Sequence, residues 1–81
     1  MNFRHDIAKA KFEILGWSYS YLSNATGLSK STCYDFMRGR YDATASTIKT
    51  VFVQLGLDPS LALNFKVKLS TFRRAEAKTA R

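Results

Sequence analysis

The sequence predicts an all-α fold, a compact bundle of about five short helices, and three observations carry the prediction. Apolar residues recur at intervals of three, four and seven along successive segments, which marks one face of a helix rather than the two-residue alternation of a strand. Gly16, Gly39 and Gly56 stand just past the ends of such segments, where helices commonly stop. Ser18, Ser29 and Asp58 stand just before others, as N-caps do.

In the first segment, residues 3–15, the apolar face is Ile7, Ala8, Phe12, Ile14 and Leu15, and Asp6 in the opening turn suits the positive end of the helix dipole. A short second helix follows Ser18 and turns Leu22 and Ala25 inward before Thr26 and Gly27 break it. Gly27 supplies the positive φ that the turn demands, and Leu28 drops into the core. Ser29 then caps a third helix, KSTCYDFMR, with Cys33, Phe36 and Met37 on one side and Lys30, Ser31, Tyr34, Asp35 and Arg38 towards the other. After a polar loop, TIKTVFVQLGL spaces Ile48, Val51, Phe52 and Leu55 as a fourth helix, with β-branched Thr and Val weakening its propensity. Asp58 and Pro59 open a fifth through SLALNFKVKLSTF, although the alternation of Phe65, Val67 and Leu69 fits a strand as well. The domain is placed at residues 1–72, leaving residues 73–81 as a basic tail expected to be flexible.

Composition narrows the function classes. With 81 residues the chain makes one domain, and 46% hydrophobic residues are enough for a packed interior. A net charge of +7 draws it to polyanions, and residues 66–81 alone hold six bases against one acid, +5 of that total. No run approaches the ~18 apolar residues of a membrane span, and the N-terminus lacks the apolar stretch of a signal peptide, so no membrane role and a cytoplasmic location are expected. One cysteine and one histidine make neither an internal disulfide nor a zinc set, so no metal and no cofactor are expected. His5 and Asp6 have no second histidine, Cys–His pair or phosphate loop beside them. An enzyme is therefore not expected, nor a small-molecule substrate. Cys33, Phe12 and Trp17 are read as core, and the rings of Tyr19, Tyr21 and Tyr41 either pack on neighbours or take part in the function of the motif they surround.

Two short helices joined by a glycine-containing turn make a helix-turn-helix over residues 19–38. At the residue level, GLSKST followed by RGR, together with Leu15, Gly16, Leu22, Thr47, Ile48, Leu55 and Gly56, resembles the lambda-repressor and Cro-type (XRE-like) family of DNA-binding domains, over about residues 7–60. The chain departs from that pattern at Tyr19, where many members have Gln, and at Ser23 and Phe52, where Ala is usual. The resemblance implies that the third helix enters the major groove of double-stranded DNA, which assigns base reading to Lys30, Ser31 and Tyr34, with Asp35 one position beyond. Their chemistry agrees: Lys30 donates to guanine O6 and N7, Ser31 donates or accepts, and Tyr34 offers a hydroxyl and a ring face. Phosphate contacts fall to Ser18, Tyr19, Ser29, Arg38 and Arg40. A homodimer is expected on DNA, held by Leu61, Leu63, Phe65, Val67 and Leu69.

The resulting expectation is a phage-repressor or Cro-type transcriptional regulator whose basic tail adds affinity without specificity. Two other classes are kept open: an antitoxin-like protein holding a partner with residues 61–72, and an architectural or recombination-accessory protein that bends DNA with little base reading.

Overall fold

In a computed structural model of the chain, residues 2–70 are described, and they contain four α-helices, one 3-10 turn and no strand. The helices are α1 (His5–Leu15), α2 (Tyr19–Thr26), α3 (Lys30–Met37) and α4 (Ala45–Gln54), and the 3-10 turn, Pro59–Leu63, closes the bundle. None of the helices is long and apolar enough to cross a membrane.

Local chemistry accounts for the helix boundaries. Ser18, Ser29 and Thr44 cap α2, α3 and α4, each side-chain oxygen accepting a backbone N–H three residues on, from Tyr21, Thr32 and Thr47. The Thr44 cap starts α4 two residues earlier than the apolar pattern alone indicates.

The core follows the 3.6-residue period. Ile7, Leu22, Phe36 and Phe52, one from each helix, are fully buried, with Cys33, Met37, Val51 and Leu55 around them. On α1 the apolar stripe runs further than the core does. Ile14 and Leu15 emerge 42% and 38% exposed, because α1 packs against α3 and the closing turn, and these leave its C-terminal end uncovered.

The expected fifth helix is corrected to the five-residue turn Pro59–Leu63, followed by turn and bend residues, with Leu69 and Ser70 helical at the end of the described chain. Asp58 and Pro59 do start the turn as expected, the Asp58 side chain accepting the Ser60 N–H. The segment after the turn is held to the rest of the fold by Arg4, whose Nη1 donates to Asn64 O at 2.9 Å and Val67 O at 2.6 Å. The strand alternative has no second strand to pair with among the described residues. Residues 71 and 72 of the expected helix, and the basic tail 73–81, lie outside the described residues.

Arg4 is thus the staple of the fold. Its backbone N–H donates to Ala62 O at 2.7 Å, and its guanidinium grips the Asp6 carboxylate with two bonds of 2.9 Å. The hydrogen bond from Arg4 holds the Asp6 carboxyl below the usual carboxylate range, and the same bond raises the Arg4 guanidinium. Phe3, one residue earlier, lies 4.7 Å from the Phe36 ring, so the N-terminal segment ties the closing turn to α1 and α3 together.

Candidate nucleic-acid interface

The connection between α2 and α3 is three residues long, 27–29, and is closed from both sides. Gly27 takes φ +76° and sends its N–H back to Ser23 O at 2.9 Å, a left-handed helix ending that a side chain would strain. The Ser23 hydroxyl then donates to the Leu28 carbonyl, and Thr26 Oγ1 donates to Leu22 O at 2.8 Å while accepting the Leu28 N–H at 3.3 Å. Serine at position 23 therefore has a structural reason: it satisfies a carbonyl in the turn that alanine would leave to solvent.

With the turn fixed, α3 presents two unlike faces. Cys33, Phe36 and Met37 are buried against the core, as their spacing requires. Lys30, Ser31, Tyr34 and Arg38 are exposed, and positions 30, 34 and 38 follow one another at intervals of four along a single face. Asp35 is half-buried at the margin, its carbonyl accepting the N–H groups of Arg38 and Arg40 at 3.2 and 2.9 Å.

A row of rings runs across this face. Phe12 of α1 lies 4.8 Å from Tyr19 of α2, and Tyr19 lies 5.4 Å from Tyr34 of α3 at 66°. At the end of the row Arg38 Nη1 donates to the Tyr34 hydroxyl at 2.8 Å, its guanidinium carbon 5.0 Å from the ring centre. Burial, followed by the neighbouring Tyr34, pushes the Tyr19 phenol up, so it remains protonated at neutral pH. Trp17 stacks 4.6 Å from Tyr21 and packs on the core.

The two serines expected to contact phosphates differ in what they have left to give. Ser18 Oγ accepts from Tyr21 N–H, which leaves its own proton outward. Ser29 Oγ accepts from Thr32 N–H and donates to Thr32 Oγ1 at 2.8 Å, so its proton is already used within the cap. Arg40 is exposed beyond α3, after Gly39 at φ +71°. A Cβ on Gly39 would lie 2.5 Å from His5 Cε1. The His5 ring is therefore the floor of the Arg38–Gly39–Arg40 turn, a role no local pattern around His5 signals.

The five residues expected at a dimer interface divide. Leu61, Val67 and Leu69 pack on this molecule's own core, whereas Leu63 and Phe65 are 57% and 56% exposed. Leu63 also borders a shallow groove lined by Ala45, Ile48, Pro59 and Ala62. Cys33 is buried, its Sγ 3.9 Å from Thr26 Oγ1, and burial pushes its thiol up from the ordinary value. Among the described residues no cluster of three or more His, Cys, Asp or Glu is placed to hold a metal ion. No protein-family model matches the chain, no curated protein matches its sequence, and no solved structure matches its fold.

Proposed function

We propose that the protein binds double-stranded DNA in a sequence-dependent way, with α2 bracing α3 as a helix-turn-helix and α3 lying in the major groove, and that it acts as a transcriptional regulator of repressor or Cro kind. The observation that carries the reading is the division of α3. One face is sealed into the core, and the opposite face is an open row of Lys30, Ser31, Tyr34 and Arg38 running from the start of the helix to the residue just past its end. The +7 charge supports it, supplying affinity for phosphates at every sequence.

In this reading Lys30, Ser31 and Tyr34 meet base edges, with Asp35 beside them, while Ser18, Tyr19, Arg38 and Arg40 hold phosphates. Ser29 acts through its cap, which orients the first N–H groups of α3. The test compares Lys30→Ala and Ser31→Ala with Arg40→Ala on a panel of duplexes changed one base pair at a time. Each of the first two should lose about tenfold on the preferred site and flatten the preference at one or two positions. Arg40→Ala should weaken all duplexes alike and lower the salt slope by about one. A ranking of duplexes that survives both Lys30→Ala and Ser31→Ala removes α3 from the groove.

A single reading helix covers only a few base pairs, so the protein is proposed to act as a homodimer on DNA. Exposed Leu63 and Phe65 are the residues available to join two copies. Protection of two half-sites about one helical turn apart is the expected footprint. One asymmetric half-site at saturating protein, with a monomer by sedimentation, rejects the dimer.

A further inference from the structure

We propose that Arg38 makes the Tyr34 hydroxyl a donor only, so that at the base Tyr34 faces the protein takes an edge that carries an acceptor, guanine O6 or N7, adenine N7 or thymine O4, and rejects cytosine, whose major-groove edge offers only the N4 amino group. The inference rests on the DNA-binding reading and names what one contact in it selects.

The restriction is stereochemical. A phenol keeps its O–H in the ring plane because the oxygen is conjugated with the ring, which leaves one good in-plane direction for accepting a hydrogen bond. Arg38 Nη1 occupies the hydroxyl at 2.8 Å, and a guanidinium has donors only. The phenol proton must then point away from Arg38. The ring itself is held by Tyr19 at 5.4 Å, which is in turn held by Phe12 at 4.8 Å. Tyr34 remains 44% exposed on the open face of α3, and its hydroxyl is a donor whose direction is set by the Arg38 bond. A free hydroxyl would rotate to accept from an amino group as readily as it donates to a keto oxygen. Adenine still offers N7 to an oriented donor, whereas cytosine presents only its amino group, and the unmade bond weakens that complex. Arg38 is therefore a positioning residue for Tyr34 as well as a cation beside the DNA.

The experiment selects binding sites from a randomised duplex pool with the wild type, Tyr34→Phe, Arg38→Met and Arg38→Lys, after thermal unfolding has shown similar midpoints for all four. The wild type is expected to disfavour cytosine against the other three bases at one position by about threefold to tenfold. Tyr34→Phe should erase that preference. Arg38→Met should keep the rest of the site while accepting all four bases there, and Arg38→Lys, still a donor, should restore part of the bias. An unchanged rejection of cytosine in Arg38→Met, with affinity lower at every sequence alike, reduces Arg38 to a phosphate contact and overturns the proposal. A site identical in Tyr34→Phe and wild type overturns it as well. Failure of the wild type to enrich any sequence instead sinks the DNA-binding reading on which the proposal rests.

Discussion

Phe36→Ala is expected to lower the thermal midpoint by about 20 °C and to abolish selective DNA binding at the temperature where the wild type is folded. The Phe36 ring has no exposure and meets Phe3 at 4.7 Å, so its removal opens a cavity that the packed side chains around it cannot fill. Substitutions of this kind cost about 3–5 kcal/mol, a large part of the roughly 4–12 kcal/mol expected for a chain of this size. The functional consequence follows from position. Phe36 lies on the buried side of α3, and the row of Lys30, Ser31 and Tyr34 keeps its direction only while that side is anchored. Phe36→Leu retains most of the volume, and should cost about 1.5 kcal/mol while preserving the ranking of duplexes. A Phe36→Ala protein that melts within a few degrees of wild type contradicts this packing of α3.

Arg4→Met is expected to destabilise by about 2–3 kcal/mol, although methionine keeps much of the aliphatic stem. What it loses is the set of donors shared by Asn64 O, Val67 O and the Asp6 carboxylate. Because the first two acceptors lie in the closing segment, hydrogen exchange should rise around residues 59–67 more than in α2. Equal protection of the closing segment in both proteins rules out the staple. The Asp6 partner adds a dependence on pH. Its carboxyl is lowered chiefly by the Arg4 bond, so its stabilising contribution is complete above the ordinary carboxylate range and is lost as pH falls through the lowered value. The Asp6 side chain is 39% exposed, which limits the effect to about 1 kcal/mol after screening. Asp6→Asn should therefore be less stable than wild type at neutral pH, and the two should converge as the pH drops below about 4. A gap that persists in strong acid contradicts a stabilising ion pair.

Much of the candidate site is legible in the sequence because its determinants lie close together along the chain. Cys33, Phe36 and Met37 are sorted from Lys30, Ser31 and Tyr34 by helical period alone, and the burial of the first three follows that sorting. The caps at Ser18 and Ser29 and the left-handed Gly27 act within four residues of themselves. Even the Arg38 bond to Tyr34 has a local signal, an interval of four on one helix, which the assignment of Arg38 to phosphates overlooks. Thr44 is a similar case, a cap three residues before Thr47 that the apolar spacing does not include.

The amino-acid sequence by itself determined the helical class, the four α-helices, the buried face of α3 and the concentration of positive charge towards the C-terminus, since each depends on spacing and composition. Only the tertiary structure decided how the chain closes. Whether residues 59–69 form a helix, a strand or a turn is undetermined by their own pattern, because Phe65, Val67 and Leu69 alternate while Asp58 and Pro59 signal a helix start. The turn is held by Arg4, 60 and 63 residues away in sequence, which donates to the carbonyls of Asn64 and Val67. The same packing draws Leu61, Val67 and Leu69 onto the core and leaves Leu63 and Phe65 outside. Periodicity reports which residues can share a face. It carries no information about a distant donor that meets the backbone, and here such a donor satisfies two carbonyls of the closing segment that have no ladder of their own.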